Sequence, residues 1–249
     1  MADLPPVLIV FLYALLTAVA TGLGALPLLA LRKVPPHWLG LANGAAAGLM
    51  LAASFQLVRE GLGISMPRTA VGMLLGLFAI VVSQRLLTRR EGEMSVAELD
   101  GAPARKALLI LGVMTAHSFA EGIGVGVSFG TTVSFGVFIS LAIAVHNVPE
   151  GLAISLTMVP RGVPVWRAAW WSIFSSLPQP LMAVPAFLFV QTFEPVLPVG
   201  LGLAAGAMIW MAQSELVPDA IEVAPKEQVA TALTLAGIAM VVFQVLIGG

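Results

Sequence analysis

The sequence predicts an all-α integral membrane protein of eight transmembrane helices in a 3+2+3 arrangement, and three observations carry that prediction. The 249-residue chain is 59% hydrophobic and only 10% charged, where soluble domains carry roughly 25% charged residues. Its apolar residues fall in runs that reach the length of about 20 residues that a helix needs to cross a bilayer. A seven-residue pattern in the second run returns in the seventh. So few charges cannot cover a soluble body of this length, and lipid is the natural solvent.

The spans are predicted over 7–31, 39–58, 67–88, 107–129, 132–159, 165–191, 196–217 and 228–247. Pro35-Pro36 separates the first two, and Arg59-Glu60-Gly61 with Pro67 the next pair. Residues 89–106 form the one sizeable polar loop. Gly130-Thr131 is too short for anything but a tight link, which makes spans four and five antiparallel neighbours. Pro160-Arg161-Gly162, Glu194-Pro195 and the stretch from Asp219 to Gln228 mark the remaining turns. The N-terminus lacks a basic n-region, so the first run reads as a retained span and not a signal peptide.

Charge sets the orientation. Arg32, Lys33, Arg85, Arg89, Arg90, Arg105, Lys106, Arg161, Arg167 and Lys226 fall on one side, and only Arg59 and Arg68 on the other. The positive-inside rule places the 89–106 loop in the cytoplasm and both termini outside. Net charge is −1, so no basic balance points to nucleic acid. Cysteine is absent, which excludes disulfides, thiolate metal sites and cysteine nucleophiles.

Gly44-Ala45-Ala46-Ala47-Gly48-Leu49-Met50 lines up with Gly202-Leu203-Ala204-Ala205-Gly206-Ala207-Met208, identical at five of seven positions. Spans 1–3 and 6–8 then form two triplets, and the two spans between them put the triplets in opposite orientation. That is the inverted repeat common in transporters.

The chemistry lies in the inserted pair. Span four carries His117-Ser118-Phe119-Ala120-Glu121-Gly122 and span five His146-Asn147-Val148-Pro149-Glu150-Gly151. A charge at the bilayer centre costs at least about 2.5–3.5 kcal/mol, so two His/Glu pairs there need a reason. Residues four apart share a helix face, and both pairs lie near mid-membrane. Two imidazoles and two carboxylates make a nitrogen and oxygen set that suits zinc, iron(II), manganese or cadmium better than copper(I). Carboxylates at i+4 would crowd a haem. Pro149 removes a donor to the carbonyl of Val145, and Gly122 and Gly151 allow neighbouring backbones to approach.

Other polar positions have two readings each. Gln179, between Pro178 and Pro180, is an oxygen ligand on a broken helix or a cap for carbonyls the prolines release. Met50 and Met208 are packing or soft ligands along a path. Glu60, Glu215 and Asp219 read as groups at the ends of spans, and His37 as a solvated loop residue beside Trp38.

At these two motifs the chain resembles the ZIP family of divalent metal transporters, in its bacterial form. Ala46-Ala47-Gly48 to Ser54-Phe55 and Ser214-Glu215-Leu216-Val217-Pro218 also look like family patterns. The resemblance implies one transporter domain over 1–249, in the cell membrane (a bacterial inner membrane), working as a homodimer. It implies His117, Glu121, His146, Asn147 and Glu150 as ligands of a two-metal site, with Met50 as a contributor, and zinc import through motion of spans 1, 4, 5 and 6 against the rest. Two departures stand out. The family's span-four motif has Asn where this chain has Ser118, and many members have an acidic or histidine ligand at Gln179. Both changes weaken the second metal position. No resident cofactor is expected, since the metal is cargo. The competing reading is an intramembrane metal-dependent hydrolase, against which the chain lacks a His-Glu-x-x-His motif. A third is a metal sensor without flux.

Overall fold

The computed structural model describes residues 4–30, 35–89, 102–159 and 162–248. Among them every regular element is helical. Eight helical stretches fill the predicted spans. Seven are long and apolar enough to cross a membrane: Pro6–Ala30, Pro36–Ile64, Met66–Leu86, Val133–Met158, Val165–Thr192, Glu194–Val223 and Lys226–Leu246. The remaining one, Ala102–Phe129, is span four; its side chains are described from Leu111 on, Val113 aside. The chain is a multi-pass membrane protein.

The boundaries depart from the sequence reading for identifiable reasons. Span two runs from Pro36 to Ile64, so Arg59-Glu60-Gly61 lies inside the helix and not between helices. His37 sits in its first turn rather than in a loop, its ring 5.8 Å from that of Trp38. The interior of the 89–106 loop lies outside the described residues, as do Arg32, Lys33 and Arg161; the flanking helices reach Arg89 and begin at Ala102. Spans four and five are joined through Gly130, Thr131 and Thr132, and Thr132 caps span five by accepting a hydrogen bond from the Phe135 amide at 3.1 Å.

Three spans are interrupted. Span one breaks after Leu23 and resumes for a turn at Pro27–Ala30. Span six breaks at Leu177, between Val165–Ser176 and Pro178–Thr192, because Pro178 and Pro180 lack the amide hydrogens that would continue it. Span seven passes through a π-helical turn, Ala212–Leu216, before Val217–Val223. The wider turn accommodates Pro218 and adds a residue to the register. The predicted turn from Asp219 onward is therefore helical to Val223.

Glycines decide how closely the helices approach. The two copies of the repeated pattern have matching tasks. A Cβ on Gly48 would stand 2.1 Å from the carbonyl oxygen of Leu233 in span eight, and one on Gly206 would stand 2.2 Å from that of Met73 in span three. One turn earlier, Gly44 faces Val229 and Gly202 faces Thr69. Span two thus seats on span eight as span seven seats on span three. From the other side, a Cβ on Gly72 or Gly76 would stand 2.1 or 2.0 Å from the carbonyl oxygen of Val199 or Leu203. The same kind of approach joins spans one, four, five and six. A Cβ on Gly151 would stand 1.7 Å from the Thr21 carbonyl oxygen, one on Gly24 2.2 Å from the Leu152 amide nitrogen, and one on Gly126 2.2 Å from the Ala183 carbonyl oxygen.

Backbone atoms cannot rotate away as side chains do, so a methyl group here forces helices apart. Gly48→Ala and Gly206→Ala are each expected to cost about 1–3 kcal/mol by overpacking. Gly63→Ala, whose Cβ meets nothing within 4 Å, leaves stability unchanged or slightly raised. Thermal unfolding of the detergent-solubilised variants checks the contrast.

Candidate metal centre

The His/Glu motifs meet where the sequence places them, in the middle of spans four and five, but not as one symmetric foursome. His146 Nε2 lies 2.9 Å from Glu121 Oε1, across the two helices. Glu150, one turn on from His146, brings Oε1 to 3.9 Å of the same nitrogen. One ligand atom from each of Glu121, His146 and Glu150 lies within 4.8 Å of the other two. Bonds of about 2.0–2.2 Å to one ion would draw the three groups closer together. All three residues are buried, and Glu150 Oε1 makes no hydrogen bond among the described residues.

His117 also reaches a carboxylate outside this trio. Its Nε2 lies 3.0 Å from Glu215 Oε2 of span seven, with the His117 side chain fully buried and that of Glu215 16% exposed. Sequence reasoning treats Glu215 as a group at the end of a span. The structure corrects this: the extra residue of the π turn shifts the helical register and carries Glu215 inward. Only the Pro218 that follows it marks the irregularity in the sequence.

Gln179 resolves into a third role, neither free ligand nor carbonyl cap. Its Nε2 donates to Glu121 Oε2. Its Oε1 accepts from Asn147 Nδ2 at 3.2 Å and from the Thr17 hydroxyl, whose one hydrogen the Ala14 carbonyl at 2.7 Å also shares. Asn147 Nδ2 also donates to the Thr17 carbonyl at 2.9 Å, while the buried Asn147 Oδ1 makes no hydrogen bond among the described residues. Because a carboxylate only accepts, the amide nitrogen must be the end of Gln179 that faces Glu121. Thr17 was not singled out from sequence; one threonine in an apolar span carries no signal of its own.

Both motif glycines are explained by these approaches. Gly122 lets span four ride over the break in span six, where a Cβ would stand 2.6 Å from the Gln179 carbonyl oxygen. Gly151 seats span five on span one beside Thr21. Ser118 is buried next to His117. Met50 and Met208 are buried in the central apolar cluster.

Comparison with known proteins adds a second line. A family model described as ZIP zinc transporter matches residues 87–244. GufA of Myxococcus xanthus, named a zinc transporter, is 31% identical over 83% of this chain and 86% of its own length. The chain belongs to the ZIP family. A further relative, the zinc transporter ZIPB of Bordetella bronchiseptica, is 34% identical over 90% of this chain and 76% of its own. An Arabidopsis thaliana protein with a provisional zinc-transporter name is 49% identical over 91% of the chain, which spans 37% of that relative's length. The ZIP match covers both His/Glu motifs, Gln179 and Glu215, while Thr17 lies outside it.

Asn147 is the donor that ties span five to spans one and six. Replacing it with Leu leaves the Thr17 carbonyl without that partner and Gln179 Oε1 one donor short, at a cost of about 1–3 kcal/mol. Thermal unfolding of metal-stripped Asn147→Leu, compared with wild type in the same detergent, is expected to show that loss.

Proposed function

We propose that this protein carries a divalent transition metal ion, zinc foremost, across the membrane into the cytoplasm, through a mid-membrane site built from Glu121, His146 and Glu150. The observation that carries the reading is the meeting of two buried carboxylates and an imidazole within reach of one ion. In a low-dielectric interior such charges need a cation or close partners. Zinc leads among the metals because the relatives are named zinc transporters. Those names also favour transport over the hydrolase reading.

The route uses the same residues. An ion arriving from outside exchanges water for Glu121, His146 and Glu150, with protons leaving as the ligands coordinate. His117 and Glu215 lie beside this trio on the path toward the cytoplasmic end of span seven, and they offer the next nitrogen and oxygen ligands. The positive-inside bias supports that orientation, with both termini outside.

The packing supports movement of one group of spans against another. Every glycine in the described residues whose Cβ would come within 3.0 Å of another span's backbone joins spans inside one of two sets: one, four, five and six, or two, three, seven and eight. Across the boundary the glycine contacts are with side chains, such as Gly124 with Ala204 Cβ at 3.3 Å and Gly200 with Val127 Cγ1 at 2.6 Å. Glu121, His146, Glu150, Gln179, Asn147 and Thr17 all belong to the first set. The ion and its hydrogen-bonded surroundings can therefore shift as one body, with His117–Glu215 as a polar contact that must change. The matched glycine contacts of spans two and seven fit an inverted repeat, which supplies two related conformations. A homodimer in the cell membrane completes the reading.

Glu121→Ala and Glu150→Ala are each expected to abolish zinc uptake into cells while the protein still reaches the membrane. The loss should exceed the roughly 10–100-fold that removal of a ligand's outer partner costs. Uptake at wild-type rate by both variants would contradict the proposal. Cleavage of lipid or peptide by the purified protein with metal would favour the hydrolase instead.

A further inference from the structure

Gln179 occupies a position from which a carboxylate would reach Glu121, and its hydrogen bonds are committed on both ends. Its amide nitrogen holds Glu121 Oε2, while its oxygen takes the Thr17 hydroxyl and the Asn147 amide. Thr17, Asn147 and Gln179 are all fully buried, so water cannot readily replace a missing partner. Donation therefore runs one way, from Asn147 and Thr17 through Gln179 to Glu121. The side of Glu121 that faces span six ends in an N–H group, which offers a cation no lone pair. One of the two lone pairs of Oε2 is thereby committed to span six, and Oε1, the oxygen beside His146, is the one better placed to coordinate.

Charge points the same way. Glu121 and Glu150 supply two negative charges, which one divalent ion offsets. A second ion would leave two uncompensated positive charges in a buried site, and the neutral Gln179 offers no third carboxylate to meet them. Glu215 is directed to His117 instead.

We infer that Gln179, oriented by Thr17 and Asn147, makes this a one-ion site by capping the second oxygen of Glu121 with a hydrogen bond and supplying no carboxylate in its place. The inference rests on the metal-site reading above and specifies its stoichiometry. Gln179 is a positioning residue for Glu121, and Thr17 positions Gln179 in turn.

The test is the number of zinc ions bound per chain at saturation. It is measured by equilibrium dialysis and elemental analysis of detergent-purified protein, subtracting what a Glu121→Ala/Glu150→Ala double variant retains. Wild type is expected to bind one ion and Gln179→Glu two. Thr17→Val is expected to keep one ion with affinity lowered roughly 10–100-fold, as for loss of an outer partner. X-ray absorption at the zinc edge of the wild type alone gives an independent reading that does not depend on any variant folding. It should lack the metal–metal distance of roughly 3.5–4 Å that marks a two-ion site. Two ions in wild type, or that metal–metal distance, would overturn the inference and leave the transport reading standing. A folded Gln179→Glu that still binds one ion would also overturn it. No ion above the double-variant background would instead remove the metal site on which it rests.

Discussion

Glu121 is buried at the centre of the helix bundle, and both of its oxygens are engaged, one by His146 and the other by Gln179. A carboxylate in that position sets conditions on everything around it. Without partners it would be strongly destabilising, so a histidine from span five and an amide from span six must reach it at the same depth. The amide must present its nitrogen, so its oxygen needs donors, and spans one and five provide them through Thr17 and Asn147. One buried acid thus fixes side chains on three other helices. Glu150 adds a second carboxylate beside the same imidazole, which gives the trio the spacing on which the proposed metal site rests.

Such short contacts require helices closer together than side chains normally permit. The chain achieves this with glycine and not by compressing larger residues. Gly122 brings span four onto the break in span six, and Gly151 brings span five onto span one. Gly48 and Gly206 do the same on the other side of the molecule, against spans eight and three. In a membrane, where burial from water adds little between helices, close van der Waals packing at small residues is the main source of association. Chemistry and packing are therefore linked: the motif that supplies each glutamate also supplies the glycine that lets it arrive.

Much of this was legible in the sequence. The eight spans follow from apolar runs and proline punctuation, and the pairing of the two His/Glu motifs follows from the short link at Gly130-Thr131. What escaped has local physical causes. Span ends shift because charged residues such as Arg59 and Glu60 stay helical past the predicted boundary. Glu215 escaped because a π turn changes which residues face inward, and a 3.6-residue reading cannot register an added residue. Gln179 had two roles open and took a third, because its orientation depends on Thr17, 162 positions away. The contact of His117 with Glu215 of span seven was not foreseen either. Motif spacing fixes which helix face a side chain occupies but not its rotamer.

The central claim is that Glu121, His146 and Glu150 share one ion. Anomalous scattering from crystals of the zinc-loaded protein tests it most directly. The account predicts a single strong peak about 2.0–2.2 Å from Glu121 Oε1, His146 Nε2 and a Glu150 oxygen. A peak held only by other residues, with the hydrogen bond between His146 and Glu121 intact beneath it, would contradict the account.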